Sequence, residues 1–311
     1  MAARAVSGRR WKGLRRGRSP TARRNLEGLR LLVERLNRRL NGKPPPTVDL
    51  SAVSADPIAA IYLSDGAVPV IEIPLSHLRL GWLGFPLDGS DTNPFVRTAA
   101  EYINGEVSDY RHSVLCAHYR TWQPRTMGEA LGLCVSDESR LAQPAEAVVL
   151  PWSRMAGVVD PDERIEFFRR HIGEEFRARH PDIDRSVSPT YGQAHFGPVT
   201  AGLGGLEFER YRNAAEYIAE FGFIPSLGGY IGVEILADRS RWVAQVQSGL
   251  HRVAVISALG IDPVPVAISV RPMLVRREDC LSWPGVRSGL FTPDEATMVF
   301  DRIMDGRAPS N

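Results

Sequence analysis

The sequence predicts a mixed α/β (α+β) fold, with a small sheet-and-helix domain in its second half and a mainly helical region before it. Three observations predict it. Tyr230–Ala237 and Arg241–Gln247 are apolar runs of strand length on either side of the turn residues Asp238-Arg239-Ser240. Phe208, Tyr211, Ala215 and Ile218 recur at helical spacing within Glu207–Phe221, and Gly222 ends the run. Gly249 then turns the second strand into a helix, His251–Leu259, which Gly260 terminates ahead of the apolar strand Val264–Val270. Pro263 and Pro265 predict that this last strand lies at an edge, because proline cannot donate to a ladder.

The earlier elements follow from the same signals. Ile58–Leu63 and Val68–Ile73 are apolar runs around Ser64-Asp65-Gly66, the pattern of a hairpin. Asn93-Pro94 opens a helix over 94–111 with Phe95, Ala99, Tyr102 and Ile103 on one face, and a second helix covers Ser113–Tyr119. Thr126 with Glu129 three residues on is a capping box. Asp160-Pro161-Asp162-Glu163 opens an acidic-first helix running to about His180. Residues 181–205, rich in Pro, Gly, Ser and Thr, mark the internal boundary. A Trp283-Pro284-Gly285 turn and a helix over Pro293–Met304 close the chain.

Charge and composition narrow the function classes. The 311 residues carry a net charge of +2, but residues 1–43 hold 14 Arg or Lys and 2 Glu. The remainder is therefore an acidic body behind a basic leader, set off by Gly42-Lys43-Pro44-Pro45-Pro46. Leucines at 26, 29, 32, 36 and 40 put a helical stripe in that leader, flanked by Arg30, Arg35, Arg38 and Arg39. It is expected to be flexible, and to touch anionic membrane or nucleic acid, or to be a solvated tail that binds nothing. The only lysines are Lys12 and Lys43, so the body has neither a Walker-type phosphate loop nor a Schiff-base lysine. No apolar run is long enough for a transmembrane segment or follows the basic start as a signal peptide would. Three widely spaced cysteines, Cys116, Cys134 and Cys280, make no disulfide framework, and the cytoplasm is the simplest location. His112, Cys116 and His118 lie close in sequence, but His118 faces away from the other two and no metal site is expected.

The chemistry concentrates at Ser248-Gly249-Leu250-His251-Arg252. A strand ends, glycine permits a tight turn, and a helix begins with unpaired N–H groups that attract anions. His251 and Arg252 add side-chain donors at the same point, and arginine can grip a phosphate with two bonds. The plainer reading has His251 capping a strand end and Arg252 pairing with a surface carboxylate.

The stretch SGLHRVAVISALGIDPVPVAI (248–268) resembles the Gly-x-His-Arg helix and following strand of the ParB/sulfiredoxin superfamily. AAEYIAEFGF (214–223) is similar to that family's preceding helix, and the resemblance covers about residues 195–271. The longer arrangement, with WQPRTMGEALGL (122–133) and GPVTAGLGGLEFER (197–210), resembles a type of bacterial protein found beside polysaccharide-biosynthesis enzymes. The resemblance implies a domain at 193–271 between a mixed, mainly helical domain at 44–192 and a 272–311 extension with one helix. It also implies that the turn holds nucleotide phosphates, of ATP or CTP with Mg²⁺.

Two departures limit what is carried over. The family's sulfinic-acid repair enzyme has a cysteine where this chain has Leu250, and too little chain follows Arg271 for the DNA-binding domain of partition proteins. The expected function is therefore phosphotransfer from a nucleotide to a small metabolite, or else non-catalytic binding of a nucleotide or sugar phosphate by a module working through partners. Phosphotransfer needs one carboxylate at the acceptor hydroxyl and one for Mg²⁺. Glu207 and Glu209 are the candidates, with Glu209 favoured because Glu207 is expected to begin the helix. His195 and Arg271 are candidate substrate contacts.

Overall fold

Asp56 starts the first helix among the described residues: its side chain accepts the Ile58 N–H, and Pro57 supplies the fixed φ of a first helical position. Pro57–Leu63 is therefore helix α1, where the apolar run had suggested a strand, and only Val68–Ile73 of the expected hairpin is extended. The computed structural model describes residues 46–88, 92–134, 136, 138–179 and 194–309. The basic leader and most of the 181–205 boundary lie outside the described residues.

The strands are β1 (Thr47–Asp49), β2 (Val68–Ile73), β3 (Leu78–Leu80), β4 (Phe85–Pro86), β5 (Ile231–Ala237), β6 (Trp242–Ser248), β7 (Val264–Ile268) and β8 (Leu274–Arg276). Seven of them run in the order β1-β2-β7-β5-β6-β3-β4, with β8 also paired to β5, so the fold is mixed α/β. The β5–β6 hairpin is antiparallel, while β7 runs parallel to β5 and antiparallel to β2. Strands from both sides of the expected 192/193 boundary thus share one sheet, and residues 45–311 form one compact unit. The 272–311 segment contributes β8 as well as its helix.

β7 is an interior strand and not the edge its prolines predicted. Its register places Pro265 opposite Glu72 of β2, while pairing with β5 begins only at Val266. The residue without an N–H therefore falls outside the β5 ladder.

The remaining helices longer than one turn are α2 (Pro94–Ile103), α3 (Val114–Thr121), α4 (Pro161–Arg179), α5 (Ala201–Phe221), α6 (Leu250–Ala258) and α7 (Pro293–Met304). The helix expected over 94–111 stops at Asn104-Gly105, with Gly105 at φ +73°, and a separate single turn covers Tyr110–His112. Thr126 caps the Glu129 N–H as expected, but the Glu129 carboxylate takes the N–H of Arg125 instead of that of Thr126. α5 starts at Ala201, six residues before the expected start at Glu207, behind the cap Thr200, whose side chain accepts the Leu203 N–H. Glycines at 202, 204 and 205 hide this first turn and a half from propensity reasoning. α6 packs against α2 and α5, and Trp152 packs with Trp283 and Phe300 near α7. No helix among the described residues is long and apolar enough to cross a membrane.

Candidate functional site

The turn between β6 and α6 has the expected strand–glycine–helix geometry. Gly249 sits at φ +82°, and a Cβ there would come within 2.8 Å of Ile231 Cδ1. Both conditions select glycine. No side chain caps α6, so its first N–H groups are left for a ligand or solvent. Ser248 is exposed beside them.

The longer α5 changes the roles of the two candidate carboxylates. Glu207 lies two turns into the helix, on the face that carries Leu203, Phe208 and Tyr211, and its side chain is 2% exposed. Its Oε2 meets His251 Nε2 at 2.7 Å, and its Oε1 accepts a 2.8 Å bond from Arg210. Glu209 points to solvent and pairs with Arg212 at 3.5 Å. The structure thus brings Glu207, and not the favoured Glu209, to the turn. Arg210 and Tyr211 join the site unforeseen. Their signal was their spacing from Glu207, three and four residues on, which puts them on one face of the helix already expected over Glu207–Phe221.

The His251 ring lies 4.6 Å from that of Tyr211, and its side chain is 23% exposed, enough for a ligand to reach. Burial would raise the Glu207 carboxyl, but His251 and Arg210 together hold it below its usual range. Burial, and then the Glu207 charge, push the phenols of Tyr119 and Tyr211 well above theirs.

Arg252 is placed differently from expectation. Its guanidinium bonds the carbonyls of Gly228 and Gly229, with a longer contact to Tyr230 O at 3.4 Å. Two arms of the residue expected to grip phosphate therefore staple the loop ahead of β5. Arg252→Ala is expected to destabilise the fold by about 1–3 kcal/mol, since those carbonyls lose a charged donor. Urea unfolding measures this, and unchanged stability would return the residue to a purely ligand-facing role.

His195 borders the same cluster. Its ring lies 5.5 Å from Trp82, its carbonyl accepts His118 Nε2 at 2.8 Å, and its buried Nδ1 has no partner. Burial, with His251 and His118 nearby, lowers its pKa to about 4 despite the attraction of Glu207. Arg271 is exposed after β7 and makes no ion pair or hydrogen bond with a described residue. His112, Cys116 and His118 do not converge: His112 bonds Asp109, Cys116 is buried in α3, and His118 turns to His195. Among the described residues no three His, Cys, Asp or Glu side chains could hold a metal together. A Mg²⁺ arriving with a nucleotide would rest chiefly on phosphate oxygens.

A second buried carboxylate lies on β5. Burial raises the Glu234 carboxyl to about 7, although bonds from Gln247 and Trp152 pull the other way. His195 and Glu234 therefore oppose each other in acid. Unfolded His195 binds a proton below about 6.5 and folded His195 only below about 4, so its contribution to stability falls as pH drops through that window. Folded Glu234 keeps its proton up to about 7 and unfolded Glu234 only to 4.5, so its contribution is lost as pH rises. Relative to the wild type, His195→Gln should make the slope of stability between pH 4.5 and 6.5 more negative, and Glu234→Gln should make it more positive. Each change is bounded by about 1.4 kcal/mol per pH unit. Urea midpoints of the three proteins at three pH values decide; a change of the same sign in both variants would contradict the assignment.

A cavity of about 200 Å³ opens near the cluster, lined by Tyr110, Cys116, Tyr119, Arg120, Gln123 and Val199. Tyr119 connects the two, donating to Ala194 O while sensing the Glu207 charge. No family model, curated protein or solved structure matches the chain.

Proposed function

We propose that the chain is a ParB/sulfiredoxin-like nucleotide-binding protein that takes the phosphates of ATP or CTP, with Mg²⁺, at the Ser248–His251 turn. In this reading it transfers the terminal phosphoryl group to a hydroxyl of a small metabolite in polysaccharide biosynthesis. One observation carries the reading: a partly exposed His251, locked by a buried glutamate, stands at the uncapped start of α6.

The acceptor oxygen attacks the terminal phosphorus, the bond to the bridging oxygen breaks, and nucleoside diphosphate leaves. The hydroxyl proton passes to His251 Nδ1. Neutral His251 donates its Nε2 proton to Glu207, which fixes the tautomer and leaves the Nδ1 lone pair for this task. Glu207 thus acts through His251, as a buried carboxylate does in a triad. Arg210 holds the other carboxylate oxygen in place. Arg252 fixes the neighbouring loop, and Glu209 has no part in the reaction.

A second reading is a binding module without turnover, and one observation favours it: both Glu207 oxygens are already bonded within the protein. Incubation with each nucleoside triphosphate, Mg²⁺ and a panel of hydroxyl acceptors separates the two. Acceptor-dependent release of diphosphate supports the transferase. Nucleotide binding without release supports the module, and an absence of binding removes both. A contact of residues 1–43 with anionic membrane or nucleic acid belongs to either reading and rests on their charge alone.

A further inference from the structure

We propose that Glu234, with Ser248 and Ser269, forms a subsite for a neutral polyhydroxylated ligand on the sheet face that carries Gly232. Alternation along β5 places Gly232 and Glu234 on one face, about 7 Å apart. Ser248 is the register partner of Gly232 on β6. A Cβ at Gly232 would lie 2.3 Å from Ser248 Oγ and 3.0 Å from Ser269 Oγ, so two serine hydroxyls converge over this residue. Both serines are exposed.

Glu234 is 2% exposed, and its two oxygens are treated unequally. Oε1 accepts Gln247 Nε2 at 2.7 Å and Trp152 Nε1 at 3.2 Å. Oε2 accepts from no described residue, yet it is not among the oxygens sealed from solvent without a partner. Trp152 is itself wedged against Trp283 and Phe300, so the carboxylate plane is fixed and Oε2 keeps its direction. A carboxylate this deeply buried needs donors on both oxygens. The second donor comes from solvent or from a ligand that displaces it.

The chemistry of the carboxyl and the two serines selects the ligand. The carboxyl is held near neutrality in its titration, so it meets its ligand both ionised and protonated. A hydroxyl serves both forms, because it donates to the ionised oxygen and accepts from the protonated one. An ammonium serves only the ionised form, and an anion is repelled by it. Serine hydroxyls also donate and accept, so adjacent hydroxyls of one ligand can be bonded in turn. As the identity of the acceptor, this inference rests on the proposed function; as a binding site, it stands apart from it.

The test uses the full chain with glutamate carboxyls labelled with ¹³C. D-Glucose and myo-inositol are titrated as neutral polyol probes and ethylammonium as the cationic control, with nucleotide binding measured separately on the wild type. At least one polyol is expected to shift the Glu234 carboxyl resonance saturably. Glu234→Gln, which keeps the acceptor for Gln247 and Trp152, should weaken that polyol at least tenfold, and Ser269→Ala several-fold. If Glu234→Gln fails to fold, Ser269→Ala carries the comparison. Absence of a polyol shift, equal affinity in the variants, or a response to ethylammonium alone would overturn the inference. Polyol binding without nucleotide binding would refute the proposed function and leave this site standing, whereas nucleotide binding without polyol binding would do the reverse.

Discussion

Glu207→Ala is expected to cost the fold about 3 kcal/mol. The substitution takes from Arg210 and His251 the buried carboxylate that they share, and breaking a buried pair in this way typically costs about 3–5 kcal/mol. The lower end applies because both partners keep 23% of their side-chain surface in solvent. Glu209→Ala, two residues away on the exposed face, should change stability by less than about 0.5 kcal/mol. Chemical denaturation of the two variants side by side provides the contrast. Equal effects would mean that Glu207 is not the keystone of the α5–α6 contact.

His251→Ala is expected to reduce phosphoryl transfer by about 10²–10⁴-fold, the usual contribution of a positioned general base. Nucleotide affinity should fall much less, because the first N–H groups of α6 remain in place. His251→Gln, which can still donate to Glu207, should preserve stability but not turnover. Single-turnover rates set beside binding constants measure both. A variant that loses affinity and rate in equal proportion would make His251 a phosphate ligand and not a base.

Much of the second half of the fold was legible because local chemistry and tertiary packing agree there. β5, the turn, β6, Gly249, α6 and Gly260 each carry their own stop or start residue. Where one local signal was read without its competitor, the expectation failed. Ile58–Leu63 has strand composition, but Asp56 and Pro57 start a helix first. Pro265 has the mark of an edge, but β5 pairs only beyond it. The candidate site was half legible. Its glycine turn and His251 follow from a contiguous motif, whereas the choice of Glu207 over Glu209 depends on where α5 begins. That start is a cap at Thr200 followed by glycines, which read as loop. Glu234 was not visible at all: in sequence it is one polar residue in an apolar strand, and only the sheet brings Gln247 and Trp152 to it.

The most direct measurement is a backbone NMR titration of the full chain with ATP and with CTP, following the amides of Gly249, Leu250 and His251 together with the His251 ring. Phosphate binding at this turn predicts saturable shifts of those amides, larger than those around Glu209 and Arg212, for at least one nucleotide. It also predicts a matching change at the His251 Nδ1 resonance. Nucleotide binding that leaves the turn unmoved while other amides shift, or no binding by either nucleotide, would contradict the account.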